Sequence, residues 1–153
     1  MALAPSLTPA RQMPHFSSLT YPNITPTNKV LTTAGGVQTM TLAEALSGLL
    51  LVDCQDAQTY TLPSAAVLNA GLAGVMIGST FFVDIVNYGD TTLTIGLGTG
   101  VTKTTIASVA PVLTIVTLAS KRLLLNCTGI AAQGSTADAW VVYAFGSTAA
   151  AVA

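Results

Sequence analysis

The run from Ser79 to Thr102 restricts the fold more than any other part of the chain. Two strand-length runs, Thr80-Phe81-Phe82-Val83-Asp84-Ile85-Val86 and Thr92-Leu93-Thr94-Ile95, are rich in β-branched and aromatic residues and flank the turn cluster Asn87-Tyr88-Gly89-Asp90. Residues of this kind fit a pleated, half-buried surface and give no helical period. The pattern predicts an antiparallel hairpin followed by a glycine-paced bend into a third strand. Phe81 and Phe82 adjoin, so within a strand they point to opposite faces. One face, with Phe81, Val83 and Ile85, is expected inside a sandwich. The other, with Phe82 and Val86, is expected to be covered by partner chains or by a helix.

Charge is scarce around these runs. Asp, Glu, Lys and Arg make up 7% of the 153 residues, while 51% are hydrophobic, against about 25% charged in an ordinary soluble domain. Such a chain would associate if it stood alone, because low net charge and exposed apolar patches both favour contact. A membrane span is the first alternative. The longest uncharged stretch, Ala57 to Val83, is long enough but is broken by Pro63, Ser64, Asn69, Gly71, Gly74, Gly78, Ser79 and Thr80, which a spanning helix does not accommodate well. Low complexity is the second, and it fails against the regular alternation of runs and turns. Burial within an assembly is the remaining reading. A formal net charge of −1 with five scattered Lys and Arg residues offers no basic footprint for nucleic acid. The first residues carry neither a basic region nor a long apolar core, so no secretory signal is expected.

Taken in order, residues 1–28 read as an extended anchoring arm. Five of the seven prolines lie there, Pro5, Pro9, Pro14, Pro22 and Pro26, together with His15, Phe16 and Tyr21, and proline disfavours helix interiors and central strands. Residues 29–146 read as a β-sandwich domain, and 147–153 as a small uncharged tail. Thr41-Leu42-Ala43-Glu44 is a capping box that predicts a short helix through about Leu46, ended by Gly48. Leu49 to Cys54 is a continuous apolar run suited to a strand buried on both faces. Gln58 to Leu62 follows as a strand, and Pro63 opens a second helix over Ser64 to Ala70, a crossover on the outside of a sheet. Beyond the hairpin, strands are expected over Val101–Ala107, Val112–Leu118, Arg122–Cys127 and Ala139–Phe145. Trp140 then shares a face with Val142, and Tyr143 with Val141 and Phe145. The tally is all-β: about eight strands in an antiparallel β-sandwich of jelly-roll or Greek-key type, with two short helices.

The residues for chemistry are sparse. His15, the single histidine, lies in the arm, which leaves a nucleophilic triad without its base. One histidine and two separated cysteines do not make a zinc set. Glu44 is accounted for by its capping role, and Asp53, Asp56, Asp84 and Asp90 by turn hydrogen bonding. Gly96-Leu97-Gly98-Thr99-Gly100 lacks the lysine and the following helix of a phosphate loop and reads as a bend. Cys54 and Cys127 sit in apolar runs and read as buried thiols, with a disulfide left open. No enzyme activity, cofactor, metal, nucleic acid or membrane partner is expected. Phe82, Val86, Tyr143 and Phe145 are the candidates for contact between subunits, because both faces of the sheet are apolar.

Thr61-Leu62-Pro63, Gly78 to Asn87, Leu93-Thr94-Ile95 with Gly98 to Thr102, and Lys121 to Asn126 occur in an order that resembles the small β-sandwich virion proteins of double-stranded DNA viruses and tailed phages. The resemblance spans Val30 to Phe145 and is one of layout. It implies a structural protein on the capsid surface of a virion that decorates or cements the capsid as a homo-oligomer, a trimer. Its partners would be itself and the major capsid protein or other virion subunits. The alternative within the same group is the receptor- or glycan-binding head of a fibre or spike.

Overall fold

A computed structural model of the chain describes residues 26–32, 36–104 and 113–145. The strands are β1 (Thr27–Leu31), β2 (Val37–Thr39), β3 (Leu49–Cys54), β4 (Gln58–Thr61), β5 (Thr80–Asn87), β6 (Leu93–Gly96), β7 (Val101–Lys103), β8 (Thr114–Ile115), β9 (Ala119–Gly129) and β10 (Ala139–Phe145). The helices are α1 (Leu42–Ala45) and α2 (Ala65–Gly71), with one 3-10 turn at Ala131–Gln133. The protein is therefore mostly β, as its sequence predicts. β1 begins two residues inside the segment read as arm.

The strands form two mixed sheets, one of six in the order β1-β3-β5-β9-β10-β7 and one of four in the order β2-β4-β6-β8. The chain winds between them. β1, β3 and β5 stack in parallel in the larger sheet, and β2, β4 and β6 stack in parallel in the smaller one. Each round trip adds one strand to each sheet, so the connection that a parallel pair requires is made through the opposite sheet. β9 then runs antiparallel to both β5 and β10, β8 antiparallel to β6, and β7 parallel to β10. The antiparallel pairing expected throughout is thus corrected: parallel neighbours predominate.

The predicted hairpin is corrected with it. β5 and β6 lie in different sheets, and Asn87 to Thr92 carries the chain from one to the other. Asn87 holds this corner: its side-chain oxygen accepts the Gly89 N–H at 3.2 Å, and its amide donates to the carbonyls of Thr91 at 2.7 Å and Ile115 at 3.0 Å. Gly89 packs against the backbone of Cys54, where any side chain would collide. The residues that mark a two-residue hairpin also serve a corner, and only the tertiary partners distinguish the two.

Between the sheets the inward positions alternate along every long strand: Leu50, Val52 and Cys54 on β3, Val83 and Ile85 on β5, Leu123, Leu125 and Cys127 on β9, Trp140 and Val142 on β10. From the smaller sheet come Tyr60, Leu93, Ile95 and Ile115. Leu49, Leu51 and Asp53 point the other way and are only partly buried, so the expectation that β3 is buried on both faces is corrected. Cys54 and Cys127 are buried free thiols, and burial raises the Cys127 thiol above its ordinary pKa.

Both helices start where their capping residues place them. Thr41 accepts the Glu44 N–H at 3.2 Å while Glu44 accepts the Thr41 N–H at 2.7 Å, closing the capping box of α1. Ser64 caps α2 by accepting the Val67 N–H at 3.3 Å. α2 joins β4 of one sheet to β5 of the other, which corrects its expected place outside a single sheet. Its Asn69 accepts the indole N–H of Trp140 at 2.7 Å and donates to Asp138 at 2.7 Å and to the Gly129 carbonyl at 3.1 Å. Phe81 meets Trp140 edge-on, with ring centroids 5.5 Å apart.

Candidate assembly face

The pleat sends every second residue of the larger sheet outward, and strand register lines these residues up in rows. Phe82, Leu124 and Tyr143 are direct neighbours across β5, β9 and β10. The adjoining row reads Leu49, Asp84, Arg122, Phe145, and the next reads Leu51, Val86, Ser120. The four contact candidates, Phe82, Val86, Tyr143 and Phe145, therefore share one face. Phe82 is 52% and Phe145 47% exposed; Val86 and Tyr143 are half-buried among their neighbours. The face on the other side of β5 is sealed in the core for Val83 and Ile85 and partly buried for Phe81. The expectation that both faces are buried thus holds within this chain for one face only.

One ion pair interrupts the apolar rows. Arg122 Nε and Nη2 donate to Asp84 Oδ1 and Oδ2, each at 2.7 Å, the two-pronged geometry in which guanidinium and carboxylate match best. The same guanidinium lies 5.6 Å from the centroid of the Phe82 ring. The hydrogen bonds to Asp84 hold the Arg122 pKa above its ordinary value. Asp84 is therefore a pairing residue in mid-strand, which corrects the expectation of a turn role. Asp53, at the margin of the face, accepts from Gln55 at 3.3 Å.

The smaller sheet has an outer face of another kind. Val37, Thr59, Thr94 and Thr114 form one row across its four strands, and Thr39, Thr61 and Gly96 the next. No charged residue stands on it among the described residues, and its threonines can bond to water. At one end of the sandwich a groove of about 430 Å³ is lined by the hydroxyl residues Thr39, Thr41, Thr61, Ser64 and Thr99 with Leu42, Pro63, Val67 and Leu97. It has no aromatic ring in its wall.

A second polar cluster links β1 to the capping box. Lys29 Nζ lies 3.3 Å from Glu44 Oε1 and 5.7 Å from the centroid of the Tyr60 ring. Burial pushes the Glu44 carboxyl up, but bonding from Tyr60 and Thr41 and the charge of Lys29 outweigh it and leave the pKa below its ordinary value. Burial and then the Glu44 carboxylate push the Tyr60 phenol up. The Tyr60 hydroxyl is buried and faces the Glu44 carboxylate, though not with the geometry of a well-formed hydrogen bond. These contacts fasten α1 to β1 and β4 and hold Glu44 in its ionised form.

Of the arm candidates, Pro5, Pro9, Pro14, His15, Phe16, Tyr21 and Pro22 lie outside the described residues, while Pro26 is exposed directly before β1. Among the described residues no cluster of three or more His, Cys, Asp or Glu side chains could hold a metal, and no helix is long and apolar enough to cross a membrane. Gly96 to Gly100 is the bend from β6 toward β7: Gly100 has φ +76, and Gly98 faces the Leu62 and Pro63 carbonyls too closely for a side chain. Sequence reasoning missed the roles of Asn69 and Asn87, whose partners lie far along the chain or on another element. Comparison with protein-family models, curated proteins and solved structures returned no match.

Proposed function

We propose that the protein is a non-enzymatic structural subunit of a virion, which decorates or cements the capsid as a homo-oligomer, a trimer, with residues 1–28 anchoring it to the capsid or to neighbouring subunits. The observation that carries this reading is the outer face of the six-stranded sheet, where Phe82, Val86, Tyr143 and Phe145 share one surface with Leu49, Leu51 and Leu124. A face of that composition is stabilised when another protein surface covers it. The low charge of the whole chain supports the same reading, since a subunit with much of its surface covered needs few charges for solubility.

Deletion of residues 2–25 tests the anchor and leaves β1, which starts at Thr27, whole. The truncated protein is expected to keep its sandwich and to be lost from purified particles; incorporation at full occupancy would remove the arm from the account. The fibre-head alternative, with a receptor or glycan as ligand, calls for an exposed aromatic platform in a concavity. The groove of about 430 Å³ is lined by hydroxyl and aliphatic side chains; a smaller one of about 110 Å³ has Phe81 and Trp140 in its wall, but Trp140 is fully buried and offers no exposed platform.

A further inference from the structure

The geometry points to a specific partner for the outer face of the six-stranded sheet: we propose that it is covered by a second copy of this chain, the face of one copy packing on the same face of the other about a two-fold axis. This rests on the assembly reading and names the surface and the occupant that make the oligomer.

Three observations select a second copy. The first is charge. Asp84 and Arg122 neutralise one another at the middle of the face through two bonds of 2.7 Å, so identical faces meet without like-charge repulsion, and a strongly acidic or basic partner finds nothing to complement. The pair also satisfies its own strongest bonds, so enclosing it strands no lone charge.

The second is size. Six strands at a spacing of about 4.8 Å make a sheet roughly 29 Å wide, and a strand as long as β5, at about 3.3 Å per residue, adds a height of roughly 26 Å. Because β1, β3 and β7 are shorter than β5, the face is smaller than that rectangle, roughly 630 Å² in plan, somewhat below the about 800 Å² that each partner buries in an interface of standard size.

The third is the contrast between the two outer faces. The smaller sheet presents Thr59, Thr94 and Thr114 in one row with the exposed Val37 at its edge, hydroxyls that hydrate readily beside one small aliphatic side chain, whereas the larger presents Phe82, Leu124 and Tyr143 in one row. Two pleated sheets pack face to face at about 10 Å by interdigitating such rows. The apolar row is flanked along β9 by rows that carry polar residues, Arg122 and Ser120 on one side and Asn126 on the other, as the core of a protein interface is flanked by a more polar rim.

The test is site-directed crosslinking of the full chain in dilute solution with a short bismaleimide. Phe82→Cys places a thiol at the centre of the proposed contact, and Thr94→Cys places one on the opposite outer face. The native Cys54 and Cys127 are buried, and the unsubstituted chain sets the background. Phe82→Cys is expected to give crosslinked dimers in high yield while Thr94→Cys stays at background, and the added change Arg122→Glu, which puts two carboxyls side by side, is expected to abolish the product. Fluorescence of Trp140, sealed in the core, reports that each variant is folded. Background yield from a folded Phe82→Cys, or equal or greater yield from Thr94→Cys, overturns the proposal. Loss of the protein from particles with crosslinking intact would count against the virion role alone.

Discussion

Asn69 on α2 and Trp140 on β10, 71 positions apart, are joined by a 2.7 Å hydrogen bond from the indole N–H to the side-chain carbonyl. Trp140 is fully buried, so this acceptor is what makes its polar atom tolerable in the core. Asn69→Ala would leave the indole N–H unpaired and remove a donor from Asp138 and from the Gly129 carbonyl. The expected loss is about 2–3 kcal/mol, read from urea denaturation followed by the fluorescence of the single tryptophan.

Two glycines separate steric need from conformational need. Gly89 has no positive φ but abuts the Cys54 backbone, whereas Gly74 has φ +70 and open space around it. Gly89→Ala should cost about 3 kcal/mol or more, because backbone rather than a flexible side chain must yield. Gly74→Ala should cost about 1 kcal/mol from the left-handed backbone alone. The ratio of the two losses in the same denaturation assay checks the corner described for β5 and β6.

Gln58 is 4% exposed between the sheets, and neither end of its amide has a partner among the described residues. Replacing it by an apolar side chain of similar volume removes a desolvated polar group without leaving a cavity. Gln58→Met is therefore expected to raise stability by about 1 kcal/mol, measured as a higher urea midpoint with unchanged slope.

Acid should loosen the attachment of α1. The folded pKa of Glu44 lies below the ordinary carboxyl value of 4.5, so its ionised form is favoured by folding. That contribution is fully present above pH 4.5 and disappears as pH falls through the lower folded value. Glu44→Gln keeps an acceptor for the Thr41 N–H and loses the charge opposite Lys29. The stability advantage of the natural chain over Glu44→Gln is expected at neutral pH and should shrink on acidification, as followed by thermal melts across that range.

Much of the fold was legible because it is written locally. Thr41 with Glu44 marks the start of α1 within four residues and Pro63 the approach to α2, and the alternation around Phe81 and Phe82 marks both the strand and its two faces. The common face of Phe82, Val86, Tyr143 and Phe145 needs parity along each strand together with the mutual register of β5, β9 and β10, and only the parity can be read from sequence. Strand direction is not local at all. Asn87 to Asp90 is compatible with a hairpin or with a corner between sheets, and the choice is made by the contact of Gly89 with Cys54 and of Asn87 with Ile115. Asp84 looked like a turn residue because its partner, Arg122, is 38 positions away.

The mass of the full chain in solution, by sedimentation equilibrium over a wide concentration range, tests the central claim most directly. The account predicts a stable species of two or more chains that falls to folded monomer in Phe82→Asp, with the Trp140 fluorescence unchanged. A natural chain that remains monomeric at every concentration, or a folded Phe82→Asp protein that keeps the natural mass, would contradict it.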